Sequence, residues 1–196
     1  MLQFDLSAFI RKLSEKGYAT AKVLPRLGGY DITFISPPNI IASKGSSVIR
    51  YDLGRRLVQV DNPSAPELLS TFSEVENTFI EMGNELQKCV LFYEVQVKAK
   101  LTHKKILVKD ISLSDTINFD LVTVPVFFTL KDGEPNSTKW FSLKIEPIWT
   151  TWNSNKTSFE LELVYRDSRA NLISFIQNFD KIFNEIIKRI ISSFGG

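Results

Sequence analysis

The chain is predicted to fold as an α+β protein in which a mainly antiparallel sheet is covered by two long amphipathic helices. Three features lead there. Between about residues 90 and 166, apolar and polar side chains alternate in five successive runs. Short connections join those runs, which favours a five-strand antiparallel meander over a parallel sheet. Two other stretches, Leu68 to Leu86 and Leu172 to Ile190, space their apolar residues alternately by four and three, as one face of a helix requires.

The elements follow in order. Asp5 or Ser7 can cap a first helix whose Leu6, Phe9, Ile10 and Leu13 share a face, and Gly17 stands where such a helix ends. In "ATAKVLPRLGGYDITFIS", two strand-like runs flank Gly28-Gly29, a pair suited to the positive φ angles of a tight hairpin turn. Pro25 cannot donate to a ladder, so the first run belongs at an edge or a bulge. Two or three short strands follow "SPPN", within "IIASKGSSVIRYDLGRRLVQVDN". A second helix starts at "SAPELL", where Ser64 and Glu67 have capping-box spacing. Its stripe of Leu68, Phe72, Val75, Phe79, Met82 and Leu86 lies opposite Glu74, Glu76, Glu81 and Glu85, the side assigned to water.

Tyr93, Val95, Val97, Ala99 and Leu101 then alternate with Glu94, Gln96, Lys98 and Lys100, as in a strand with one dry face. Further strands are read at "KILVKDI", "FDLVTVPVFFTLK", "KWFSLKIEPIWTTW" and "KTSFELELVYR", with turns at "KDGEPNS" and "NSN". Asp167 or Ser168 caps a terminal helix marked by Leu172, Ile176, Phe179, Phe183, Ile186 and Ile190. Burying each large apolar side chain stabilises by roughly 1.5–3 kcal/mol, so this stripe demands cover, and the preceding sheet is the economical one. No repeat, low-complexity tract or linker is present. Residues 1–196 are therefore expected to form a single domain: 1–45 the N-terminal helix and hairpin, 46–196 the strands, middle helix, meander and terminal helix.

The totals exclude several classes. With 43% hydrophobic and 23% charged residues the composition is globular rather than disordered, and a net charge of +2 leaves no long-range basic field. Cys89 is the only cysteine, which rules out an intramolecular disulfide and any multi-thiolate zinc site, and fits a reducing, cytoplasmic location. Asp5, Arg11 and Lys12 interrupt the apolar core that a signal peptide would need. No stretch reaches the roughly 18 uncharged apolar residues of a membrane span.

The residues nominate no catalytic centre, metal site or cofactor. His103 is the only histidine and is read as a turn residue, and Cys89 as an inert core thiol. G-x-G-x-x-G, P-loop and G-x-S-x-G patterns are all missing. Glu160 and Glu162 share a strand face roughly 7 Å apart, close enough for acid–base work, yet their alternation with Phe and Leu describes a solvated sheet face. The reading leans away from an enzyme.

Over about residues 46 to 194, the order of short strands, helix, strand run and long terminal helix resembles the helix-grip folds of the START and Bet v 1 type. The run is one strand shorter than in that pattern, and the first 45 residues have no counterpart in it. The resemblance implies a curved sheet gripping the last helix around a cavity for an apolar ligand. Tyr93, Val97, Phe128, Phe141, Trp149, Ile176, Phe179 and Phe183 would line that cavity. The leading expectation is a non-enzymatic binding or interaction domain, for an apolar small molecule or a protein partner, with a homodimer through the terminal helix as one form. The alternative is a nucleic-acid-binding domain using Arg55, Arg56, Lys98, Lys100, Lys104 and Lys105, with Trp140 and Trp152 on the parity of Lys144 for base stacking. Glu94, Glu146, Glu160 and Glu162 are expected on that same outer face. No membrane partner is expected: no stretch is long enough to span one, and the polar side of the terminal helix includes Asp180 and Glu185 and holds few cations.

Overall fold

A computed structural model describes residues 4–35, 39–104, 128–134, 136–148 and 156–194. It has mixed helices and antiparallel sheets, as the alternation and the stripes predict. The chain divides into two compact units, Met1–Leu91 and Phe92–Gly196, each with its own sheet.

In the first unit, Asp5 begins helix α1 (Leu6–Glu15): its Oδ1 accepts from Ala8 N at 3.0 Å and from the Ser7 hydroxyl at 2.6 Å. The helix ends in a Schellman motif, with Tyr18 N donating to Leu13 O and Gly17 N to Ser14 O. That motif needs a left-handed residue, and Gly17 supplies it at φ 84°. Strands β1 (Ala19–Thr20), β4 (Ile40–Lys44), β5 (Ser47–Asp52) and β6 (Leu57–Asp61) form one antiparallel sheet in that spatial order. Strands β2 (Lys22–Arg26) and β3 (Gly29–Thr33) form a separate two-stranded hairpin. Arg26 pairs with Gly29, so the turn is Leu27-Gly28, and positive φ falls on Gly28 but not on Gly29. Pro25 indeed lies in an edge strand.

Helix α2 (Ala65–Glu81) packs on α1, β5 and β6. The core beneath it joins Phe9, Ile10 and Leu13 of α1 to Ile41, Ala42, Ile49, Tyr51 and Val75. Phe79 stacks on Phe9 with ring centroids 4.7 Å apart. Three expectations for α2 need correction. Ser64 makes no side-chain cap; instead the Glu67 carboxylate accepts from Ser46 and Asn62, tying the helix start to the β4–β5 turn. The helix stops at Glu81 in a second Schellman motif through Gly83, and Leu86 belongs to a separate short helix, α3 (Leu86–Cys89). The acidic side does not all face water, since Glu76 is only 5% exposed and Glu74 accepts a 2.6 Å hydrogen bond from the Tyr18 hydroxyl.

In the second unit, β7 (Tyr93–Lys104), β8 (Phe128–Asp132), β9 (Trp140–Pro147) and β10 (Lys156–Asp167) make an antiparallel sheet. Its order is β7-β10-β9-β8. Strands β8, β9 and β10 run as a meander, whereas β7 joins beyond β10 and pairs with it along its whole length. His103 is therefore a strand residue opposite Thr157, not a turn residue. The expected strand at "KILVKDI" and the turn at "NSN" lie outside the described residues.

The expected terminal helix is two helices, α4 (Arg169–Gln177) and α5 (Phe179–Phe194). Ser168 caps α4, accepting from Asn171 N. The interruption falls at Asn178, whose side-chain amide and backbone N–H both donate to Ser174 O, at 2.9 and 3.1 Å. A side chain competing for a helix carbonyl in this way favours a local turn over a continuous ladder. Helix α4 packs on β7 and β10, burying Leu172, Phe175 and Ile176. Among the described residues, no helix is long and apolar enough to cross a membrane.

Candidate functional site

Strand register sorts the second unit's sheet into two chemically distinct faces. One face carries rows of apolar partners: Ile145, Leu161 and Ala99; Leu143, Leu163 and Val97; then Phe141, Tyr165 and Val95, with Phe128 and Leu130 of β8 in register with Ile145 and Leu143. Tyr93 shares this parity. Three of the expected cavity residues, Tyr93, Val97 and Phe141, are thus brought to one face; Phe128 stands in register with Ile145, and its side chain and Trp149 lie outside what is described. Ile176 is buried in α4, and Phe179 and Phe183 continue along α5 as half-buried rings 5.2 Å apart. Phe175 bridges the two groups, stacking on Tyr165 at 4.4 Å and meeting Phe179 edge-on at 5.9 Å. Leu143, Leu161 and Leu163 have essentially no exposure, so this face is densely packed.

Of the basic residues of the nucleic-acid expectation, the opposite face carries Lys98 and Lys100, each facing an acid, while Lys104 stands in register with Lys156. Lys98 sits across from Glu162 and Lys100 across from Glu160, with Glu146 on the other side of Glu160. The Lys98–Glu162 separation is 3.4 Å, and Lys144 pairs with Glu146 at 2.8 Å. Pairing of this kind, across strands for Lys98 and Lys100 and along β9 for Lys144, offsets the charge of these lysines. The side chain of Lys104 and all of Lys105 lie outside the described residues, and Arg55 and Arg56 belong to the first unit. Trp140 does share the parity of Lys144, but its ring lies 5.3 Å from the Arg166 guanidinium. Arg166 is 7% exposed, donates twice to Glu94 Oε2 at 3.0 and 2.6 Å, and also lies over the Phe92 ring. Glu160 and Glu162, each opposite a lysine, are set as ion-pair partners rather than as an acid–base couple.

Groups with shifted proton affinity point the same way. Burial, then the hydrogen bond to Glu74, pushes the Tyr18 phenol up to about 12. Burial, then the bond to Asp167, does the same to Tyr165. Both shifts make the hydroxyl a poorer base or nucleophile at neutral pH. Cys89 is exposed, correcting the core-thiol reading. Among the described residues no group of three or more His, Cys, Asp or Glu could hold a metal ion.

A third surface was not anticipated from the sequence. In the first unit, β1 pairs with β4 at Thr20↔Ala42, and Ala21 N donates to Ile41 O. The chain therefore leaves the sheet where β4 begins, runs out and back as the β2–β3 hairpin, and returns through the Ile35↔Ile40 bridge. Ile40 pairs with Arg50, and the Asp52↔Leu57 pair closes the β5–β6 turn at this same end. The hairpin and the turn Leu53–Arg56 thus share one end of the sheet. Val23 and Ile32 anchor the hairpin to the core, but Leu27 at its tip is fully exposed, and Leu24, Tyr30 and Leu53 are 55%, 54% and 74% exposed. Cations accompany them: Arg26 beside Leu27, and Arg55 and Arg56 beside Leu53. The available signal was a large apolar residue next to a glycine in "RLGGY" and again in "YDLGRR", where turns ordinarily carry polar residues. No protein-family model, curated protein or solved structure matches the chain.

Proposed function

We propose that the protein is a non-enzymatic interaction domain, working in a reducing cytoplasmic setting, and that it docks through the hairpin and β5–β6 turn at one end of its first sheet. The carrying observation is the coincidence there of Leu24, Leu27, Tyr30 and Leu53, all more than half exposed. Scattered apolar residues on a surface are ordinary, whereas several on a hairpin and a turn at one end of a sheet mark an interaction site. An apolar small molecule between sheet and helix in the second unit is less well supported, because Leu143, Leu161, Leu163 and Leu172 are at most 2% exposed.

The test is site-specific photo-crosslinking in source cells, with a benzophenone side chain placed at position 27, at position 53, or at the exposed Ser70 of α2. Adducts several-fold more abundant at 27 and 53 than at 70 are expected. Equal labelling at all three positions overturns the reading.

A further inference from the structure

We infer that the occupant of this surface is an anionic lipid bilayer, an inference that rests on the docking reading just given. Two observations carry it. First, the apolar side chains do not share one face. In the β2–β3 register Pro25 pairs with Tyr30, so Tyr30 lies on the side of Val23 and Ile32, whereas Leu24, opposite Asp31, points the other way and Leu27 caps the tip. A protein groove laid against one side of a two-stranded ribbon leaves the other side wet. The interfacial zone of a bilayer surrounds an inserted tip and dehydrates both sides at once, and it is also where tyrosine is favoured.

Second, the charge at this end is lopsided. Lys22, Arg26, Arg55 and Arg56 stand against two carboxylates, Asp31 and Asp52. Each carboxylate is engaged locally: Asp31 pairs with Arg26, and Asp52 accepts from Arg55 N at 3.0 Å and lies 3.8 Å from Arg55 Nε. Of the two cations left over, Arg56 stands in the turn with Leu53 and Lys22 at the base of the hairpin, so the leucines would enter the interface while these cations meet phosphate and carboxylate headgroups. This route differs from the amphipathic-helix binding that the terminal helices do not suit.

Vesicle flotation of the full chain tests the inference, using phosphatidylcholine alone and phosphatidylcholine with an equal part of phosphatidylserine. The parent is expected to float with the phosphatidylserine vesicles, to stay behind with phosphatidylcholine alone, and to be released as salt rises. Arg55→Glu with Arg56→Glu should weaken flotation by at least about tenfold. Leu27→Ser with Leu53→Ser should abolish it, and since these side chains lie outside the core both variants should keep the parent's melting temperature. Absence of phosphatidylserine-dependent flotation overturns the inference, as does flotation untouched by the leucine variant, which would signify charge adsorption alone. Self-association that Leu27→Ser dissolves, without vesicle binding, also overturns it and makes a second copy the occupant. Failed flotation with adducts still concentrated at positions 27 and 53 removes the lipid occupant alone, while failure of both experiments removes the docking surface.

Discussion

Arg166 offers the sharpest test of how the second unit is held together. It lies on the polar face of the sheet and is nonetheless 7% exposed, with Phe92 at 3.9 Å and Trp140 at 5.3 Å from its guanidinium carbon. Its Nε and Nη2 both donate to Glu94 Oε2, and Nη1 donates to Ser137 O at 2.8 Å. The side chains of the pair are 9% and 17% exposed, so the bridge falls outside the class of solvent-screened surface pairs. Removing the carboxylate by Glu94→Ala would take away the counter-charge that Arg166 holds at 2.6 Å in a buried setting, at an expected cost of about 3–5 kcal/mol. Glu94→Gln keeps an acceptor and should cost less, about 1.5–3 kcal/mol, the worth of a charge-assisted bond. Combining Glu94→Ala with Arg166→Met removes the buried cation as well and should cost clearly less than the two single changes together. Urea unfolding followed by far-UV circular dichroism measures all four variants. A cost under about 1 kcal/mol for Glu94→Ala, or additivity within about 0.5 kcal/mol, would refute the reasoning.

Other outcomes follow from the same structure. Asp5→Ala should cost about 1 kcal/mol through loss of the α1 cap. The Ser7 and Ala8 hydrogen bonds hold the Asp5 carboxyl below its ordinary value, so its contribution is present above about pH 4 and fades as pH falls through the lowered folded value. Parent and variant melts should therefore converge in acid, and a constant gap would count against the cap. Tyr18, pushed up to about 12, contributes stability that is complete below its unfolded value of about 10 and is lost as pH climbs towards 12. Ultraviolet titration of Tyr18→Phe should lack one late-ionising phenol, and an unchanged late phase would contradict the buried bond to Glu74. Leu163→Ala, at a site with no exposure, should destabilise by about 2–5 kcal/mol in urea, and a cost below 1 kcal/mol would mean the sheet face is not packed. A chain ending at Ser168 loses Leu172, Phe175 and Ile176 from β7 and β10, and should lose the cooperative melt of the second unit. An unaltered melt would show that α4 is dispensable.

By itself the sequence determined what is local. Asp5 and Gly17 bracket α1, Pro25 marks an edge strand, Gly28 sits in a hairpin turn, and the alternation through Tyr93–Leu101 and Phe159–Tyr165 assigns the sheet's dry and wet faces before any pairing is known. Each of these signals needs only a few neighbouring residues, because helix caps, turns and strand parity are set by backbone geometry over one or two turns of chain. The tertiary structure decided whatever depends on partners distant in sequence. It set β7 beside β10, separated the first sheet from the second, buried Glu76 where periodicity placed it in water, and buried Arg166 on the sheet's polar face. Asn178 shows how fine the balance is, since its side-chain bond to the Ser174 carbonyl stands at the break in a stripe that reads as continuous. The apolar turns around Leu27 and Leu53 lie 26 residues apart in the chain and share an end of the sheet only because β1, β4 and β5 pair in their particular register. Such pairing is chosen by the free energy of the assembled core, which no short window of sequence contains.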